Sequence, residues 1–155
     1  THIDHVGATA GVQSSTGARA CIHEGDRFLY ELLPVQAAML GLPLPETTDM
    51  EGSLKDGSSI HAGGLEVCIL HTPGHTPGSV TFVVKTNDGT RVFTGDTLFR
   101  RGIGRTDLWG GDSDAILRSL REKILTLPDD AIVIPGHGPE TTIGDERAKN
   151  PFLRG

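Results

Sequence analysis

Six side chains in this 155-residue chain have the chemistry of metal ligands and stand among turn-forming residues. His2, Asp4 and His5 lie in "THIDH", His75 in "HTPGHTPGS", Asp96 in "FTGDTLF" and His137 in "VIPGHGPETT". Imidazole and carboxylate together suit zinc, iron or manganese. Residues two apart in an extended loop share a side and neighbours diverge. His2 and His5 are therefore expected to serve different metals, with Asp4 beside His5. That spacing favours a two-metal site over a closed cysteine-type structural site. Taken singly, each residue has an ordinary reading: His75 as a turn cap, Asp96 as an Asx-turn residue. The four segments in this order are a set.

The elements that must position them are short. "LEVCIL" (65–70) reads as a buried strand and "SVTFVV" (79–84) as another. "KTNDGTRV" carries a hairpin turn leading into "RVFTG". "AIVIPG" is a strand entering a loop, and "RACIH" a short strand candidate. "DSDAILRSLREKILTLP" is the strongest helix: Asp112 or Ser113 caps it, Ile116, Leu117, Leu120 and Ile124 form one apolar face, and Pro128 stops it. "VGATAGVQS" after a polar opening loop is helix-compatible, "RFLYELLPVQAAMLGLPLP" is helical in part with Pro34 breaking or starting a segment, and "TTIGDERAKNP" closes with a short helix. Mixed strands and helices without a repeat or linker indicate an α/β layered domain. His75, Asp96 and His137 each follow a strand, at a sheet edge where such folds gather functional side chains.

Bulk properties narrow the partners. A formal charge of −6 disfavours a nucleic-acid surface. No apolar run approaches the roughly 20 residues of a membrane span. The expected partner is a small molecule, in the cytoplasm. Cys21 and Cys68 sit in short apolar stretches and are expected to be buried, reduced thiols.

In these motifs the chain resembles the metallo-β-lactamase superfamily, in particular its glyoxalase II-like (hydroxyacylglutathione hydrolase-like) single-domain hydrolases. The resemblance runs over residues 1–155 as one domain. It implies an α/β fold, the αβ/βα sandwich, lacking the N-terminal strands. The family's motif is Thr-His-x-His-x-Asp-His, and "THIDH" matches its second half. By resemblance, His2 and His75 hold metal one, with a further histidine two residues before His2. Asp4, His5 and His137 hold metal two, and Asp96 bridges the pair. The implied cofactors are two divalent ions, zinc first, with iron and manganese as alternatives. The implied reaction is attack of a metal-bridging hydroxide on a thioester carbonyl, with Asp4 orienting the nucleophile and the thioester a hydroxyacyl thioester such as S-lactoylglutathione. A chain beginning at Thr1 is expected to bind metal one weakly, hold metal two better, and turn over little substrate.

Arg105 falls where glyoxalase II-type enzymes place a basic residue against the glutathione carboxylate. Its other reading is a loop-fixing ion pair with Asp107. Asp107 and Pro139 stand where those enzymes carry an aromatic hydroxyl and a tyrosine, so the metal chemistry carries over better than glutathione specificity. Trp109 reads as a loop anchor or part of a substrate wall. His71 reads as a strand-end histidine, and His23 and His61 carry no motif. A second reading is a persulfide dioxygenase, sharing the "GRTD" loop and using one iron held by His75, Asp96 and the upstream histidine. Another superfamily hydrolase, such as a lactonase, is a third.

Overall fold

The computed structural model describes residues 1–52 and 54–154. Contacts divide the chain into two units, Thr1–Leu54 and Lys55–Gly155.

In the first unit, α1 (Ile3–Val6) and α2 (Thr9–Thr16) precede α3 (Arg27–Glu31) and α4 (Leu33–Leu40). Pro34 sits in the first turn of α4, where its missing N–H leaves no helical bond unmade, so it starts a helix rather than breaking one. The apolar cluster is Ile3, Leu33 and Ala37, flanked by Val6 and Tyr30. The opening segment is a helical turn, not the extended loop expected from its polarity. Ile3 is buried in that cluster, and its N–H donates to the buried Gln36 Oε1 at 3.0 Å. Gln36 Nε2 in turn donates to Leu29 O at 2.8 Å. "RACIH" does not form a strand: Ile22 makes one isolated bridge, its carbonyl accepting from Leu54 N at 3.1 Å.

The second unit is built on a six-stranded sheet. Its strands are β1 (Ser59–Ala62), β2 (Leu65–His71), β3 (Val80–Thr86), β4 (Gly89–Gly95), β7 (Ile132–Pro135) and β8 (Thr141–Thr142), in the order β1-β2-β3-β4-β7-β8. A small hairpin, β5 (Leu98–Phe99) with β6 (Gly102–Ile103), stands apart from it. Helices α5 (Ser113–Ser119) and α6 (Ile143–Lys149) complete the unit. Asn87 and Asp88 form the turn between β3 and β4, as their sequence indicates.

Direction matters more than order here. β2 is antiparallel to β3, β3 antiparallel to β4, and β4 parallel to β7. β2, β4 and β7 therefore run the same way and end at one edge of the sheet. His75, Asp96 and His137 follow those three ends.

Val83, Val92 and Val133 lie directly opposite one another across β3, β4 and β7 and so share a face. Ile116, Leu120 and Ile124 pack into the same core. Asp112 caps α5 by accepting from Ala115 N at 2.8 Å, and the helix runs on through 120–124 in a wider turn closed by Leu125 N–H on Leu120 O. β2 is less buried than its composition suggests: Ile69 is enclosed, but Leu65 and Cys68 are exposed. Cys21 is exposed too, so neither thiol is the buried one expected. The α5 core covers the β3–β4–β7 part of the sheet and meets β2 at Leu70.

Ile116 is fully buried and its backbone lies against Gly74, where a Cβ would come within 2.3 Å of Ile116 N. Ile116→Ala is expected to lower stability by about 2–5 kcal/mol in chemical denaturation, with the largest local loss of amide protection in residues 72–76.

Candidate metal centre

His75, Asp96 and His137 meet around one carboxylate oxygen. Asp96 Oδ2 lies 3.6 Å from His75 Nε2 and 3.7 Å from His137 Nε2. These separations exceed a hydrogen bond. They match two ligand atoms each about 2.1 Å from a common metal, which stand roughly 3.4–3.6 Å apart. One carboxylate facing two imidazole nitrogens in this way is a donor set for divalent zinc, iron or manganese. His75 and Asp96 are largely buried, while the His137 side chain is 55% exposed. The arrangement is thus walled on one side and open on the other.

Each of the three loops is tied down beside its ligand. Gly136 N donates to Gly95 O at 2.8 Å, which couples the His137 loop to the residue before Asp96. Asp112 N donates to Gly74 O and Ser119 Oγ to Pro73 O, which pins the His75 loop to α5. Beneath the loops lie Thr72, Thr81 and Thr97, all fully or nearly fully buried. Thr72 Oγ1 is 3.1 Å from Thr81 Oγ1 and 3.4 Å from Thr97 Oγ1. Hydroxyl-to-hydroxyl contacts satisfy these buried groups without adding charge under the site.

His75 is oriented from behind. Its Nδ1 is 2.8 Å from Arg105 O. A carbonyl only accepts, so Nδ1 carries the proton and Nε2 faces Asp96 as a bare donor atom. Gly104 makes this approach possible: a Cβ there would lie 1.8 Å from Asp96 O and 3.0 Å from His75 Cβ. "GIGRTD" therefore carries two features that side-chain chemistry alone did not reveal, a glycine needed for close backbone contact and a carbonyl that fixes a tautomer. The glycines were the legible signal.

The Arg105 side chain lies with Asp107, with Nε and Nη2 donating to the two carboxylate oxygens at 2.7 Å each. That hydrogen bonding lowers the Asp107 carboxyl from 3.8 to about 2 and raises the Arg105 guanidinium. Both groups are well exposed. Trp109 is partly exposed on the same loop. His71 Nε2 donates to Pro77 O at 2.8 Å, and Nδ1 of His23 accepts from Gly25 N, so both have structural roles. His61 lies on exposed β1.

In the first unit, His2 precedes α1 as its N-cap residue, and Asp4 and His5 lie within it. Asp4 Oδ2 is 3.6 Å from His5 Nε2. His5 N donates to His2 O at 3.0 Å, so the segment is wound rather than extended. The alternation argument that separated His2 from His5 by side does not apply to a helical turn.

Comparison with known proteins matches this organisation. The family model described as the metallo-beta-lactamase superfamily matches residues 1–137. An uncharacterized protein of Mycobacterium tuberculosis is 47% identical over 163 residues, covering 99% of this chain and 73% of the relative. Hydroxyacylglutathione hydrolase GloC of Haemophilus influenzae is 43% identical over 159 residues, covering 98% and 72%. Persulfide dioxygenase ETHE1 of Homo sapiens, a mitochondrial protein, is 38% identical over 133 residues, covering 83% and 51%. Among solved structures, BLEG-1 B3 metallo-beta-lactamase superposes with TM-score 0.90 at 38% identity, covering 99% of this chain and 74% of that one. TTHA1623 in a di-iron-bound form superposes with TM-score 0.85 at 41% identity, covering 98% and 73%.

Two outcomes are expected from this geometry. Gly104→Ala forces the loop off Asp96 and His75, and cobalt(II) affinity in a spectroscopic titration is expected to fall by about 10–100-fold. In an NMR titration Asp107 is expected to remain ionised until the pH falls toward about 2. Its folded pKa is depressed, so the pair with Arg105 contributes above the ordinary carboxylate range and is lost as pH drops through the folded value. Arg105→Gln returns the midpoint toward 3.8.

Proposed function

Because this chain belongs to the metallo-beta-lactamase superfamily, we propose that it is a metal-dependent hydrolase of the glyoxalase II-like type acting on a thioester. The observation that carries the reading is the placement of His75 and His137 nitrogens on one oxygen of Asp96. The 43% identity with GloC across nearly the whole chain supports a hydroxyacyl thioester as substrate. The superfamily binds divalent metals, and the di-iron neighbour supports a two-metal centre without selecting zinc.

In this reading His2 and His75 would hold one ion, Asp4, His5 and His137 the other, and Asp96 would be a ligand of each. When bound, such ions supply Lewis acidity, polarising a carbonyl and acidifying water to a pKa of about 7. The residues do the rest. The Arg105 carbonyl holds a His75 proton on Nδ1 and so leaves Nε2 turned toward Asp96. Asp96, largely enclosed, presents Oδ2 to both imidazoles from a loop locked through Gly95 and Gly136. Asp4 is the exposed carboxylate assigned to orient the attacking water and accept its proton at a carboxylate oxygen. Arg105 binds a substrate carboxylate by exchanging it for Asp107, a bidentate contact of the same geometry.

A second reading rests on the 38% identity with ETHE1 and the "GRTD" loop: oxygen-dependent oxidation of a persulfide at a single iron. Protein that includes the metal-one histidine expected two residues before His2 separates them. Metal content is measured first, then cleavage of S-lactoylglutathione and oxygen uptake with glutathione persulfide. Hydrolysis with two metals per chain and no oxygen uptake is expected. One iron per chain with oxygen uptake and no thioester cleavage sinks the hydrolase reading.

A further inference from the structure

Behind the Arg105 loop lies a fully buried carboxylate that the chemistry above does not use. Glu146, on α6, is 0% exposed. Its Oε1 accepts from Arg101 Nη1 at 2.5 Å and from Thr141 Oγ1 at 2.7 Å. Its Oε2 accepts from the Arg101 backbone N at 2.8 Å and from Asn150 Nδ2 at 2.9 Å. Asn150, equally buried, also donates to Gly102 O at 3.0 Å. Glu146 and Asn150 thus hold the backbone of two consecutive residues, Arg101 and Gly102.

Arg101 lies in the bend of the β5–β6 hairpin and Gly102 opens β6, paired with Phe99. Arg101 has φ 63°, the one non-glycine residue with positive φ among the described residues. A side-chain-bearing residue in that region is strained and persists where its surroundings hold it. Here the holding groups are visible, because both the N–H and the guanidinium of Arg101 end on Glu146. Three residues beyond Arg101, Gly104 N donates to Thr97 O at 3.3 Å, and Arg105 O accepts a hydrogen bond from His75 Nδ1. From Glu146 to His75 the connection is therefore continuous: carboxylate, hairpin bend, Gly104, Arg105 carbonyl, imidazole.

We propose that Glu146 is a positioning residue for His75, clamping the β5–β6 hairpin so that the Arg105 carbonyl selects the Nδ1–H tautomer and leaves Nε2 toward Asp96. A buried carboxylate with four donors is suited to this. Removing its charge takes the fully buried partner from a part-exposed guanidinium, which keeps Asp145 Oδ2 at 3.5 Å, and weakens several hydrogen bonds at once. The inference rests on the metal reading only for its consequence, not for the tautomer itself.

The test is nitrogen-15 NMR of the histidine rings in the metal-free, full chain, comparing the protein with Glu146→Gln. His71 is an internal control, since Pro77 O holds the opposite tautomer, Nε2–H, at 2.8 Å by a contact outside the clamp. In Glu146→Gln, His75 is expected to change from a single Nδ1–H form to a mixture of tautomers while His71 stays unchanged. Cobalt(II) affinity is expected to fall on the order of tenfold. A His75 ring that keeps its single tautomer overturns the proposal. So does simultaneous loss of both His71 and His75 tautomers, which marks general loosening. Should Glu146→Gln fail to fold, Thr141→Val removes one donor to the same carboxylate, and the same two rings decide by the same criteria. Failure of the unsubstituted protein to bind cobalt sinks the metal reading and leaves the tautomer result standing.

Discussion

A carboxylate oxygen shared between two imidazoles is a demanding object to build. Asp96 Oδ2 stands 3.6 Å from His75 Nε2 and 3.7 Å from His137 Nε2, and the three residues come from parts of the chain up to 62 positions apart (137 − 75). Such groups keep their arrangement when each loop is fixed independently. The second unit does this by running β2, β4 and β7 in one direction, which delivers three chain segments to one edge. Each segment is then secured by backbone bonds, Gly136 to Gly95 and Asp112 to Gly74.

Around that centre, close backbone contact does what side chains could not. Gly74 admits α5 at Ile116, and Gly104 admits the Arg105 loop against Asp96. Either glycine replaced by any other residue meets backbone rather than a flexible side chain. The ligands therefore depend on groups that are themselves chemically inert. Sites of this kind lose metal affinity through changes in supporting residues as well as in ligands. The buried Thr72–Thr81–Thr97 contacts and the Glu146 clamp belong to the same support, one neutral and one charged.

Much of this was legible along the chain. The cap at Asp112, the apolar face Ile116–Leu120–Ile124, the Asn87–Asp88 turn and the strands at 65–70, 79–84 and 132–135 follow from local patterns, because helix periodicity and turn chemistry are short-range properties. Where local pattern misled, tertiary packing was the reason. "RACIH" has strand-like composition but finds no partner strand along its length, only the bridge at Ile22. "THIDH" reads as a loop, yet burial of Ile3 against Leu33 and Ala37 winds it into a turn. Cys68 sits in an apolar run, but the α5 core meets its strand at Leu70 and leaves the cysteine exposed.

By itself the sequence determined the identity and order of the six candidate ligands, and with them membership of the superfamily. Those features reside in residue types and spacing, which need no coordinates. Only the tertiary structure decided how the ligands are presented. That Asp96 faces both histidines through a single oxygen depends on strand direction. That Arg105 contributes its carbonyl to His75 while its guanidinium engages Asp107 depends on a loop path. That Glu146 lies beneath that loop depends on α6 folding back across more than forty residues to Arg101. Long-range contacts of this kind leave no periodicity in a sequence, because they are set by where the sheet and helices bring distant segments together.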